Sequence, residues 1–247
     1  MSSAGFGPAV GQPIIRGLGG YRIDTMTNGM SIGDISATGG DHANALSLFN
    51  TDRIEVLKGP AALRYGAFAA TGVVNNFNRH LNAETEEGTD ILFGFGDNAS
   101  ETMTAFFTRQ GNFSLSAFSQ DADNITIPTH AESEAFHAHE EAAAEDGDDD
   151  EHELVDGEQE AENTESESRG FTAAAHFGDE ATKLSLMLTS QEMDYRVPHE
   201  HAHAEEEGND DGEHHDEEGG ANIEIEQQTF HARLMHNRPI GPFNGFR

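Results

Sequence analysis

The second half of the chain contains stretches in which apolar and polar residues alternate. In residues 101–110, Met103, Ala105 and Phe107 fall on one face, and three threonines fall on the other. Strict alternation over about 8–10 residues is typical of β-strands with one apolar face. The alternating segments predict six strands, at about residues 90–97, 101–110, 112–120, 169–177, 181–190 and 223–236.

The connections between these predicted strands alternate between short and long. The second and third strands are joined at Gly111, and the fourth and fifth at residues 178–180. The third and fourth are joined through residues 121–168, and the fifth and sixth through residues 191–222. In an up-and-down meander both long connections emerge at one side, as in outer-membrane barrels. Periodicity alone fits a membrane barrel and a soluble antiparallel sheet with one buried face equally well. The connection lengths favour the membrane barrel.

The first 80 residues have a different pattern, rich in glycine and short extended runs. Residues 54–57 (Ile-Glu-Val-Leu) predict a strand that ends at Gly59-Pro60. Residues 61–65 predict a short helix that stops at Gly66, and residues 73–75 resume an extended run. This part of the chain is predicted to form a small α/β unit.

The charge of the chain is strongly negative and unevenly distributed. There are 13 Lys+Arg against 46 Asp+Glu, a formal net charge of -33. Residues 121–168 and 191–222, here called the two acidic tracts, carry net charges of -19 and -11. Such a surface argues against nucleic acid as a partner, because phosphate binding needs basic side chains, and it attracts cations. Segments this poor in apolar residues cannot form a core, which predicts mobile loops.

Histidine is concentrated in the two acidic tracts, which contain nine of the 14 histidines. Because the chain has no cysteine, a zinc site would have to use His, Asp and Glu. Alternating histidines in an extended segment lie on one side, where two of them can approach one ion. The candidate metal ligands in the tracts are His137, His139, His199, His201, His203, His214 and His215. We expect them to act as a loose antenna that raises the local cation concentration.

One motif in the second tract matches a catalytic pattern without the structural context that the chemistry needs. Residues 199–203 (His-Glu-His-Ala-His) satisfy the H-E-x-x-H pattern of zinc proteases. That pattern works on a helix with both histidines on one face, whereas here Pro198 precedes the motif and acidic residues follow it. The sequence therefore predicts that the protein is not an enzyme and requires no cofactor.

The stretch from Arg53 to Asn75 resembles the plug domain of TonB-dependent outer-membrane receptors. It reads R-I-E-V-L-K-G-P, then a small-residue helix ending in Tyr-Gly, then T-G-V-V-N, with Thr71 in place of the usual glycine. Residues 13–17 (P-I-I-R-G) and the later Asn28-Gly29 are similar to the earlier plug motifs, although the family has aspartate where Asn28 stands. The order of these motifs, followed by alternating strands, carries the resemblance.

The resemblance implies a mostly β fold in two parts. Residues 1–82 would be the C-terminal part of an α/β plug domain. Residues 88–247 would be about the first six strands of a transmembrane antiparallel β-barrel, with the acidic, His-rich tracts as extracellular loops. Family membership also implies the bacterial outer membrane as location. The implied energy-coupling partner is the TonB–ExbB–ExbD complex, engaged through a segment that this sequence does not include.

Gly40-Asp41-His42-Ala43 lies between the two groups of plug motifs. It resembles the Asp-His pair in the plug of the zinc-uptake (ZnuD-like) branch, which implies that Asp41 and His42 face the extracellular vestibule and bind metal. We therefore expect import of zinc or a similar divalent cation as the transported ligand. Two alternatives stay open: a receptor of the same fold for a siderophore or another metal complex, and a soluble acidic metal-buffering protein. For Asp41 and His42 themselves, the alternative is a polar loop with no ligand role.

Overall fold

The chain forms two principal sheets, one near its N-terminus and one in the remainder. The computed structural model describes residues 2–4, 9–32, 35–37, 39, 42–44, 48–66, 69–82, 85–128, 158–179, 181–198 and 221–237. Within these ranges there are a four-stranded sheet, a six-stranded sheet and two short two-stranded ladders.

The four-stranded sheet has the strand order β4-β3-β6-β5. Its strands are β3 (Ile23–Thr27), β4 (Met30–Ser31), β5 (Thr51–Lys58) and β6 (Gly72–Asn78), preceded by the ladder of β1 (Ser2–Ala4) and β2 (Gln12–Ile14). Asn28 and Gly29 join β3 to β4 with φ angles of 53° and 82°, which a tight type I′ hairpin requires. β6 lies between β3 and β5, parallel to the first and antiparallel to the second.

A 3-10 helix from Gly59 to Tyr65 lies between β5 and β6 and packs on the sheet. Ala62 of this helix forms a small buried cluster with Met26, Ala69 and Val73. Gly66 ends the helix with a φ of 109°, a conformation that favours glycine. The predicted strand, short helix and second extended run are thus all present. None of the helices in the described ranges is long and apolar enough to cross a membrane.

The six-stranded sheet, here called the wall, is an antiparallel meander in the order β7-β8-β9-β12-β13-β14. Its strands are β7 (Gly88–Phe95), β8 (Thr102–Gln110), β9 (Phe113–Ala122), β12 (Ser166–Gly178), β13 (Thr182–Val197) and β14 (Ala221–His236). All six predicted strands are found. The turns at Gly111 and after Gly178 lie at one end of the wall, and both acidic tracts leave from the other end, as the connection lengths predict.

Strands extend into both segments that the sequence predicts as loops. The first residues of segment 121–168 belong to β9 and its last residues belong to β12. Between them, a separate ladder of β10 (Ile125–Pro128) and β11 (Glu158–Ala161) is formed. The two ends of segment 191–222 likewise belong to β13 and β14. The extension of β13 does alternate apolar with charged residues, with Met193, Tyr195 and Val197 on one face, but it lies in a segment whose overall acidity indicates a loop. The backbone ladder itself needs no apolar side chain. Residues 129–157 and 199–220 lie outside the described residues.

The two faces of the wall differ in chemistry. On β9, β12 and β13 the exposed outward face is apolar, and the inward residues, buried against the N-terminal unit, include small polar side chains such as Ser114, Thr172 and Ser185. On β8 the direction is reversed, because Ala105 and Phe107 are buried on the inward side. Alternation thus predicts the strand but not which face is apolar. The exposed outward side chains are of the kind that a barrel presents to lipid, among them Phe113, Leu115, Phe171, Phe177, Leu188 and Phe230.

Candidate metal site

One glutamine side chain holds the segment that leads to His42. The amide Nε2 of Gln12 donates hydrogen bonds to the carbonyl oxygens of Ser36 (2.8 Å) and Gly39 (2.7 Å). The backbone N–H of His42 donates in turn to the Gly39 carbonyl at 3.4 Å. His42 itself is half-buried. The backbone at this position is therefore fixed from within the N-terminal unit, while the residue keeps partial access to solvent.

The next residue, Ala43, connects this segment to the wall. Its N–H donates a hydrogen bond of 2.8 Å to the phenolic oxygen of Tyr195 in β13. Ala43 and Tyr195 are both buried, and they form an apolar cluster with Val10 and Ile225. Tyr195 lies two residues before the end of β13, at the end of the wall from which the acidic tracts leave. His42 is accordingly adjacent to the tract-bearing end.

Carboxylates are concentrated at the same end of the wall. A cavity of about 340 Å³ next to Tyr195 and Arg196 is lined by Asp121, Asp123, Glu165, Glu167 and Asp194. The Arg196 guanidinium neutralises one of them, through a contact of 3.0 Å between its Nε and Oε1 of Glu165. The remaining negative charge makes this end attractive to cations.

Of the nine predicted metal ligands, His42 lies in the described part of the chain. The other eight lie outside it: Asp41, His137, His139, His199, His201, His203, His214 and His215. Among the described residues, no group of three or more His, Cys, Asp or Glu is arranged to hold a metal ion. The described geometry thus supplies one imidazole on a fixed backbone. A zinc site prefers about four ligands, so further ligands would have to join it.

A polar seam joins the other end of the N-terminal unit to the wall. The two ring nitrogens of His80 lie 2.8 Å from the hydroxyls of Ser114 and Ser116 on β9. The His80 carbonyl accepts a hydrogen bond of 2.9 Å from Nε2 of His176 on β12, so His176 faces inward. The seam is continued by Arg109, which donates to the Asn82 carbonyl at 2.7 Å. Nothing in the sequence spacing distinguishes His80, so the seam is visible only in the structure.

The environment of His80 keeps its imidazole neutral. Burial lowers the pKa of His80 from 6.5 to about 3, and the nearby positive charges of Arg79 and Arg109 act in the same direction. A neutral imidazole has one donor and one acceptor nitrogen, which suits the two serine hydroxyls. His80 is thus a neutral structural link rather than a metal ligand.

A larger cavity lies between the N-terminal unit and the wall, and its chemistry does not suit a bare cation. It has a volume of about 580 Å³. Leu48 and Phe49 line it from one side, and Leu92, Met103, Phe107 and Phe118 line it from the wall. Phe49 and Phe118 stack with ring centroids 4.9 Å apart. Polar groups at its margin include Arg79, Asp90, Gln120 and Gln191.

Comparison with known proteins agrees with this geometry. The family described as TonB-dependent Receptor Plug Domain matches residues 1–73. The vitamin B12 transporter BtuB of Vibrio vulnificus is 28% identical over 117 residues, 46% of this chain and 19% of that protein. The ferrienterobactin receptor of Escherichia coli is 45% identical over 64 residues, 26% of this chain and 8% of that protein.

The fold as a whole also has a counterpart among solved structures. The copper transporter OprC superposes with a TM-score of 0.60 at 15% identity, covering 96% of this chain and 30% of that one. The chain thus spans less than a third of the length of these relatives. Residues 1–73 thus match the plug domain of TonB-dependent receptors, and the chain has the fold of a plug followed by barrel strands. The location that goes with these relatives is the bacterial outer membrane.

Proposed function

We propose that this protein takes part in the import of a divalent cation, zinc in the first place, as a TonB-dependent receptor of the outer membrane. The observation that carries the proposal is the position of His42. Its backbone is fixed by Gln12 and through Ala43 by Tyr195, at the acidic end of the molecule. An imidazole on a fixed backbone at a cation-attracting end of the molecule suits a specific capture step, because a preformed site loses less entropy when it binds.

The acidic tracts would act before the plug. Their carboxylates and histidines raise the local concentration of cations, and the wall carboxylates around the 340 Å³ cavity add negative charge at the same end of the wall. Asp41 would supply a carboxylate next to the His42 imidazole, a ligand combination that zinc accepts. The remaining ligands would come from the tracts or from parts of the protein beyond this chain.

Passage of the ion would require the plug to move relative to the wall. In this proposal the TonB–ExbB–ExbD complex supplies the energy, as the family name implies, and no further cofactor is required. The polar seam at His80 suits such movement, because it consists of a few hydrogen bonds with only a small apolar cluster of Leu81, Ala174 and Met187 beside them. Hydrogen bonds of this kind contribute only about 1 kcal/mol each on balance.

Uptake by intact cells tests the substrate class. A strain that lacks the gene is complemented with the full-length gene product, and uptake of radioactive zinc is measured at limiting concentration with and without an uncoupler of the inner membrane. The proposal expects saturable zinc uptake that is lost with the uncoupler. Equal uptake with and without the gene would refute it.

A second candidate, the import of an organic metal complex, is favoured by one observation. The 580 Å³ cavity is lined by aromatic and aliphatic side chains that would suit an apolar ligand better than an ion. The similar receptors include one for ferrienterobactin. Competition separates the two: a siderophore complex that inhibits zinc uptake at equal concentration favours the second candidate. The soluble metal-buffering alternative has no such support, because the wall exposes an apolar outward face.

A further inference from the structure

We infer that Tyr195 of the wall is a positioning residue for the metal-binding segment of the plug. This inference rests on the proposed function, since it assigns a role toward His42. Tyr195 touches the segment through the backbone of Ala43, so it acts on the site without being a ligand itself.

The contact includes a buried hydrogen bond between two parts of the fold. The Ala43 N–H donates to the Tyr195 phenolic oxygen at 2.8 Å, across 152 residues of sequence. Tyr195 is 1% exposed and Ala43 is 0% exposed, so water does not compete for the bond. Because Ala43 directly follows His42, the phenol fixes the peptide unit that carries the imidazole.

The opposite side of the segment is held independently. Gln12 donates to the Ser36 and Gly39 carbonyls, and the His42 N–H returns to Gly39. The segment is therefore held by the plug on one side and by the wall on the other. Gln12 alone holds the His42 backbone from the plug side, through the Gly39 carbonyl. The second attachment at Tyr195 holds the peptide unit between His42 and Ala43 from the wall side, and attachment on both sides is how a metal ligand is kept in one geometry.

Tyr195 is itself rigidly placed. It pairs with Ser166 on β12 and with Ile223 on β14, and its ring packs in the cluster that contains Val10 and Ile225. The aromatic ring alone would be enough to fill this apolar cluster. The hydroxyl adds the specific contact to the plug, and a Tyr195→Phe substitution removes that contact while it preserves the ring.

The experiment uses the full-length gene product in cells, with zinc as the probe. The variants are Tyr195→Phe, Tyr21→Phe as a matched control whose side chain is exposed, and His42→Ala as a reference. In Tyr195→Phe the buried Ala43 N–H has no acceptor. A lost bond of this type corresponds to roughly a tenfold change in an equilibrium constant. We expect the zinc concentration for half-maximal uptake to rise about tenfold in Tyr195→Phe, with an unchanged maximal rate.

A second measurement shows whether the hydroxyl acts on the segment. Amide hydrogen exchange of purified receptor should become faster in peptides that cover residues 42–44 in Tyr195→Phe, but not in Tyr21→Phe. If His42→Ala impairs uptake while Tyr195→Phe retains the parental half-saturation, the positioning role is overturned and the proposed function stands. If His42→Ala takes up zinc normally, the plug site of the proposed function fails and the positioning role fails with it. A loss of maximal rate without a change in half-saturation would also overturn the inference.

Discussion

Removal of the His80 imidazole is expected to loosen the plug from the wall at one defined place. In His80→Ala both serine hydroxyls, Ser114 and Ser116, lose their partner, and a cavity replaces the ring beside Phe107. His80 is 0% exposed, so water does not readily fill the gap. The wall strands keep their own backbone ladders. The effect should therefore be confined to the plug segment around residue 80.

The size of the effect follows from the contacts. Two hydrogen bonds at about 1 kcal/mol each, with about 1–2 kcal/mol for the cavity, give a loss of about 3 kcal/mol. A free-energy change of that size corresponds to a factor of about 150 in the equilibrium for local opening. Hydrogen exchange measures this equilibrium directly, because amides in residues 78–82 exchange when the segment opens.

The assay compares full-length receptor with His80→Ala and with His236→Ala as the matched control. His236 lies at the edge of the wall and forms an exposed hydrogen bond of 2.8 Å with Thr182, far from residue 80, so its loss should have little effect there. Protection of residues 78–82 should fall about 150-fold in His80→Ala and less than threefold in the control. Equal protection in all three proteins would refute the seam as a point of attachment.

The same residue gives a pH dependence with a defined sign. Above pH 6.5 the imidazole is neutral in both the folded and the unfolded chain, so its contribution to stability is complete. Between pH 6.5 and about 3 the unfolded chain binds a proton that the folded chain does not, because burial has lowered the pKa of His80 to about 3. Stability from this group falls by at most about 1.4 kcal/mol per pH unit over that range. Unfolding curves of His80→Gln, which has no titrating ring, should fall less steeply with acid. Parallel curves would contradict the assignment.

Two further predictions concern the wall and the tracts. Gly170→Ala should lower the free energy of unfolding by about 1–3 kcal/mol, because a Cβ there would lie 2.8 Å from Cε1 of Phe118. The control Gly88→Ala, where a Cβ would meet nothing within 4 Å, should leave the free energy of unfolding unchanged in the same denaturant titration. A peptide of residues 129–157 should bind several zinc ions weakly by calorimetry at pH 7.5 and lose that binding at pH 5, since protonated imidazole cannot bind a metal; equal binding at both values would assign it to carboxylates alone.

Local pattern was sufficient to predict the elements of this fold. Each alternating segment became a strand, and the glycines at positions 59, 66 and 111 mark its turns with positive φ angles. The pattern failed where side chains do not decide the structure. The ladder of β10 and β11 is too short for a periodic signal and is held by backbone pairing, and β8 is reversed because its apolar side chains pack on the plug.

The candidate site was predictable only in part. The Asp41-His42 motif, which lies between the plug motifs, pointed to His42. The residues that hold its backbone are distant in sequence: Gln12 lies 30 residues earlier, and Tyr195 lies in strand β13. Contacts of that range depend on the tertiary fold and leave no local signal. The same holds for His80, whose partners lie 34 and 36 residues away.

In the proposed function the plug, and not the acidic tracts, carries the specific metal site. Zinc uptake at limiting concentration is measured for the full-length gene product with Asp41→Ala and His42→Ala combined, and for a variant with all nine tract histidines replaced. The account predicts that the plug variant loses uptake, because a fixed geometry cannot be replaced by the tracts. It predicts that the tract variant takes up zinc more slowly but to the same final level. Normal uptake by the plug variant, together with loss in the tract variant, would contradict the account.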